Sequence, residues 1–181
     1  PDGCCRLICS SFQYEKKIKR WQSLLNVTQW TDEKKGKVMA LRHIVLQGDE
    51  ILTKECKKVT EFNRRLHQLL DDMKETLIGA EGAGLAAPQV GILKRICIVE
   101  DDEGEIIELI NPEIIQQSGQ QTGLEGCLSI PGKFGIVTRP MYVRVRAQDR
   151  DGCEFETEGQ GLTARAFCHE IEHLSGHLYT E

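Results

Sequence analysis

The segment Cys168-His169-Glu170-Ile171-Glu172-His173 sets two imidazoles four residues apart, with a carboxylate directly after the first. On a helix that spacing stacks His169 and His173 one turn apart on a single face, so both rings can bind one divalent ion. Glu170, about 100° round the helix from His169, is poorly placed as a further ligand. It can instead reach a water at such an ion and act as general base.

A catalytic site of this kind normally takes three protein ligands and leaves the fourth position for water. Where one protease pattern has a third histidine this chain has Tyr179, and His177 comes too early. The third ligand is therefore expected upstream. Cys127, in Gly126-Cys127-Leu128-Ser129-Ile130-Pro131, follows a glycine and precedes a short apolar run that ends at proline, which suits a residue fixed at a strand edge. As a thiolate it would complete a Cys, His, His set, and it is the candidate chosen among the eight cysteines. Cys97, inside Ile96-Cys97-Ile98-Val99, reads as a small core hydrophobe.

A third segment, Gly82-Ala83-Gly84-Leu85-Ala86-Ala87-Pro88-Gln89, is small, apolar and uncharged, unlike an ordinary surface loop. Its glycines allow a close approach of backbone to a ligand. It lacks the Lys and Ser/Thr of a phosphate loop and the third glycine of a dinucleotide fingerprint. A peptide adding to this backbone as a strand is the more economical use. Gln89, after the turn at Pro88, offers a neutral amide for an oxygen that gains negative charge. A tight turn with a buried amide is the bland alternative.

The elements that must position these groups can be read around them. Phe62, Leu66, Leu69, Leu70, Met73 and Leu77 recur at helical spacing, which predicts a core-facing helix with Thr60 as N-cap and Gly79 as stop. His67 falls on its polar side. The periodicity of Thr163 to Ser175 predicts a second helix, with Gly176 ending it. Strand signals run over Ile92 to Glu100, Glu105 to Ile110, Met141 to Ala147 and Cys153 to Thr157, with turns at residues 101–104 and 150–152. The expected class is α+β, a strand-rich body with a core helix and a C-terminal metal-binding helix.

Composition limits the rest. The 181 residues, 40% hydrophobic and 28% charged, suffice for one domain with a real core. A formal net charge of −5 argues against stable nucleic-acid binding through bulk charge. No apolar stretch near the N-terminus has the length of a signal peptide or a membrane span, so a reducing, cytoplasmic setting is expected, with no membrane partner. Residues 1–38 carry eight Lys or Arg against four Asp or Glu and read as an N-terminal extension, with Met39 as the start of the catalytic domain over residues 39–181. Trp21, Leu24, Leu25 and Trp30 could form an amphipathic helix there. Cys4, Cys5 and Cys9 lack zinc-finger spacing.

Taken in order, the segments Gly82 to Gln89, Glu125 to Ser129 and His169 to His173 closely resemble the three motifs of the peptide deformylases. The resemblance covers residues 39–181. It implies that Cys127, His169 and His173 hold one divalent ion, Fe2+ in the usual member with Zn2+, Ni2+ or Co2+ as substitutes, and that Glu170 is the catalytic acid and base. It further implies that Gln89 and the backbone N–H of Leu128 stabilise the oxyanion, while Ala83, Gly84 and the run Glu125, Gly126, Cys127 and Leu128 line the peptide groove. The implied substrates are N-formylmethionyl nascent polypeptides, with the ribosome as a partner, and Leu162 is a candidate wall for the methionine pocket. Arg139 and Arg165 match recurrent positions of the family. Cys168, Glu172 and the lack of a C-terminal helix depart from its common pattern. Two rival classes stay open: a metalloendopeptidase, and a non-enzymatic zinc module whose fourth ligand would be His177 or Cys168.

Overall fold

The computed structural model describes residues 41–180. The tryptophan-containing segment, the Cys4, Cys5 and Cys9 group and the expected start at Met39 lie outside the described residues.

Nine regular elements carry the α+β body: α1 (Arg64–Gly79), β1 (Gly84–Ala86), β2 (Ile96–Glu100), β3 (Ile106–Ser118), β4 (Gln121–Cys127), β5 (Ile130–Arg139), β6 (Tyr142–Gln148), β7 (Glu154–Gln160) and α2 (Gly161–His173). Five strands form one antiparallel sheet in the order β1-β2-β3-β6-β7, and β4 pairs with β5 in a separate two-stranded sheet. The large sheet has a helix on each face. Leu66, Leu69, Leu70, Met73 and Leu77 of α1 pack on one side with Leu85, Ile96 and Ile98. On the other, Ala164, Phe167 and Cys168 of α2 meet Cys97, Val99, Val143 and Val145. This explains the unbroken apolar run of β2, whose side chains alternate between two covered faces. In β6 the alternation is clean because only Val143, Val145 and Ala147 face the core.

The boundaries differ from expectation in instructive ways. Helix α1 starts after Asn63, whose side-chain oxygen accepts the N–H groups of Arg65 at 3.0 Å and Leu66 at 3.2 Å, and not after Thr60. Phe62, still extended, packs from the side against that cluster. His67, on the polar side of α1, has its Nε2 2.8 Å from the carbonyl of Arg150. Helix α2 runs two residues earlier than its periodicity predicts. Gly176 still follows it, at φ 77, where an added Cβ would lie 2.6 Å from the carbonyl oxygen of Thr53.

Strand β3 extends well beyond Ile110. The expectation ended there because Asn111-Pro112 reads as a break. Asn111 does leave the strand conformation, at φ 53, but its side chain bonds both Val59 and Gln148, and pairing with β6 resumes at Glu113 after a register shift. Of strands β4 and β5 the sequence reading anticipates only the strand edge at Cys127, where β4 ends. No helix among the described residues is long and apolar enough to cross a membrane.

Candidate metal centre and active site

Helix α2 presents its last turns to a cavity between the free edge of β1 and the end of β4. Burial of Phe167 and Ala164 against the large sheet fixes the rotation of the helix, so His169 and His173 point together at the hairpin. Their Nε2 atoms lie 3.2 Å apart, and the Sγ of Cys127 is 3.3 Å from Nε2 of His173. Tetrahedral coordination at about 2.0–2.1 Å for nitrogen and about 2.3 Å for sulfur separates neighbouring donors by about 3.3–3.6 Å. Two of the three donor separations thus match one shared ion, the three donor atoms all lie within 4.8 Å of one another, and all three side chains are buried. Neither Cys168 nor His177 joins them, and among the described residues no fourth such side chain completes the set.

Behind the donors stands Glu125, fully buried, with its carboxylate aimed away from the cavity. Its Oε1 accepts from Nδ1 of His169 at 2.7 Å and from Nη2 of Arg139 at 2.7 Å. Its Oε2 accepts from Nε of Arg139 at 3.1 Å and from Nη1 of Arg165 at 2.9 Å. Burial alone would raise this carboxyl, but the bonds from His169 and Arg139 overcome it and bring the pKa down to about 2. With Glu125 ionised, His169 carries its proton on Nδ1 and turns the Nε2 lone pair towards Cys127 and His173. Arg139 also bonds Glu172, which reaches solvent.

The cavity, partly open to solvent, is lined by residues 81–84 and 126–128 together with Gln89, His169 and Glu170. Glu170 is 4% exposed, and burial pushes its carboxyl up to about 7, with His169 opposing and Glu125 adding to the shift. Oε2 of Glu170 has no hydrogen-bond partner among the described residues. Gly84 leaves the room this carboxylate occupies, since a Cβ built there would lie 2.5 Å from Oε1 of Glu170. Gln89 is held by its Oε1, which accepts the N–H of Ala86 at 2.8 Å. Its Nε2 is thereby directed towards Sγ of Cys127 at 3.4 Å and Oγ of Ser129 at 3.2 Å.

The structure thus brings together Ala83, Gly84, Gln89, Gly126, Cys127, Leu128, His169, Glu170 and His173. Two expected groove residues stand elsewhere. The Glu125 side chain lies behind the imidazole, because two guanidinium groups and a ring N–H claim both its oxygens. Leu162 sits in the first turn of α2, about 12 Å of helix rise before Glu170, and is not part of the cavity lining. Sequence reasoning also missed Ser129 and Glu81. Only their closeness to Cys127 and Gly82 in the motifs could have pointed to them.

A family model described as polypeptide deformylase matches residues 41–181. A peptide deformylase of Agathobacter rectalis is 57% identical over 143 residues, covering 79% of this chain and 90% of that protein. The peptide deformylase of Lachnoclostridium phytofermentans is 58% identical over 145 residues, covering 79% and 89%. Among solved structures, a peptide deformylase from Legionella pneumophila aligns with a TM-score of 0.75 at 42% identity, covering 77% of this chain and 84% of that one. A class I type b enzyme from Acinetobacter baumannii, solved with Met-Ala-Ser bound, aligns with a TM-score of 0.75 at 33% identity, covering 79% and 98%.

Proposed function

The chain belongs to the polypeptide deformylase family, and from that membership we propose how its own residues divide the work. The reaction is hydrolysis of the N-formyl group from the N-terminal formylmethionine of newly made proteins, with release of formate. We assign Cys127, His169 and His173 as the ligands of one divalent ion, which makes α2 the metal-binding helix. The single observation that carries this assignment is the convergence of three buried donor atoms beside Glu170 and the cavity.

When bound, the ion supplies Lewis acidity towards the formyl oxygen and the attacking water. Glu170 accepts a proton from that water as its oxygen adds to the formyl carbon. A carboxyl near 7 suits both halves of the cycle, because it takes this proton and then returns it to the departing amine as the C–N bond breaks. Nε2 of Gln89 and the N–H of Leu128 meet the oxygen on which negative charge develops. Ala83, Gly84 and Gly126 give the peptide backbone a close seat between β1 and β4. A relative that holds Met-Ala-Ser supports this use of the cleft.

Fe2+ is the proposed ion, with Zn2+, Ni2+ or Co2+ able to take its place. The proposed setting is the cytoplasm, at or near the ribosome. Residues 39–181 form the proposed catalytic domain, and residues 1–38 an extension outside it. Anaerobic metal analysis alongside formate release from a formyl-methionyl peptide tests the assignment. One equivalent of ion with formate release is expected, and ion-loaded protein that releases none would overturn it.

A further inference from the structure

The geometry points to Arg165 as a positioning residue of the metal centre, acting through Glu125 on His169. This rests on the ligand assignment above.

An ionised carboxylate offers about four lone-pair sites. In Glu125 four donors fill them, two on each oxygen. A carboxylate so saturated cannot turn about its Cγ–Cδ bond without breaking a buried bond, and Oε1 therefore stays where Nδ1 of His169 needs it. The two arginines contribute differently. Arg139 divides its charge between Glu125 and the half-exposed Glu172. Arg165, buried in the middle of α2, is ion-paired with Glu125 alone among the salt bridges of the described residues.

The same Nη1 of Arg165 also donates to the carbonyl of Val137 in β5 at 3.1 Å. One guanidinium on the helix thus grips the small sheet through both strands, at Glu125 and at Val137. Without it, Oε2 keeps only the longer bond from Nε of Arg139, at 3.1 Å. The carboxylate is then free to swing, and His169 loses its fixed tautomer and ring angle. His173 has no equivalent support, for its Nδ1 lacks a hydrogen-bond partner among the described residues. Pre-organisation of the imidazole pair therefore depends on the Glu125 side, and on Arg165 within it.

The test is the affinity of the Co2+ form of the whole chain, measured by competition with a chelator and by its visible absorption, with formate release recorded in parallel. Removing a partner of this kind typically costs about 10–100-fold in metal affinity. Arg165→Met is expected to weaken Co2+ binding by that factor and to alter the ligand-field bands. Arg165→Lys, which keeps the charge without the fork, is expected to recover part of the loss. In a Glu125→Gln background, Arg165→Met should add less than about threefold, because the route runs through the carboxylate. Should Arg165→Met not fold, Arg165→Lys in the two backgrounds makes the same comparison. If the wild-type chain holds ion and releases formate while Arg165→Met binds as tightly, the role of Arg165 alone is overturned. Equal losses in both backgrounds overturn the route through Glu125. A wild-type chain that binds no ion overturns this inference and the ligand assignment together.

Discussion

Replacing Gly84 by alanine adds one methyl group at the point where β1 meets the carboxylate of Glu170. The new Cβ would stand 2.5 Å from Oε1, 2.7 Å from Cγ and 2.8 Å from Cδ of that side chain. Ordinary contact begins at 3.4 Å, so the carboxylate must retreat by about 0.9 Å, the difference from 2.5 Å. Rotation of the carboxyl end alone does not suffice, because Cγ and Cδ are also too close. A displacement near 1 Å of a reacting group costs about 100-fold in rate, or about 2.7 kcal/mol in the barrier. Overpacking adds about 1–3 kcal/mol of destabilisation. The three atoms nearest the methyl group all belong to Glu170 and none to a ligand, so metal content should not change. The assay is kcat and KM for formate release with metal content measured on the same sample. Gly84→Ala that keeps its ion and turns over within about threefold of wild type would refute the reasoning that links this glycine to Glu170.

Glu170→Ala should retain the ion and lose hydrolysis by about 100-fold or more, since it removes the proton carrier and no ligand; metal analysis with formate release checks both halves. Cys127→Ser should hold the ion much more weakly, a serine hydroxyl being a poor anionic ligand, and chelator competition reads the loss directly. Away from the site, burial of Glu108 favours its neutral form, but Arg150 and Lys74 outweigh that and hold its carboxyl below the usual range. A lowered folded pKa stabilises the fold above the unfolded carboxylate range, and that contribution disappears as pH falls through the folded value. Urea unfolding of wild type and Glu108→Gln should therefore differ most near neutrality and converge in acid.

What could be read in advance was what repeats locally. The i, i+3, i+4 spacing from Phe62 to Leu77 and the alternation from Met141 to Ala147 each report one buried face, and both elements form there, although Phe62 precedes the helix and Met141 the strand. The hairpin of β4 and β5 gave no such signal, because Leu124 and Ile136, paired across it, face solvent at 63% and 78% exposure. Apolar residues on the outer face of a glycine-rich ribbon do not report a core. The role of Glu125 was hidden for a different reason. Its partners lie 14, 40 and 44 residues along the chain: pairing of β4 with β5 brings in Arg139, and only the packing of α2 on the hairpin adds Arg165 and His169. Nor does a motif say which way a carboxylate points, and Glu125 faces inward while its neighbour Gly126 lines the cavity.

The two sheets share no strand pairing, and the candidate ligands come from both sides of that division: the imidazoles from the helix on the large sheet, the thiolate from the ribbon. The ribbon docks through the Glu125 contacts, through polar bonds such as Arg165 to Val137, Arg139 to Glu172 and Gln121 to Gly161, and through a small apolar cluster of Leu52, Cys127, Ile130 and Leu178. An ion held between helix and ribbon would work as a rivet between two parts that otherwise open with separate free energies. Chelation should then loosen the molecule unevenly. Amide exchange would quicken first in β4 and β5, while β2, whose side chains are buried on both faces of the large sheet, keeps the protection of global unfolding.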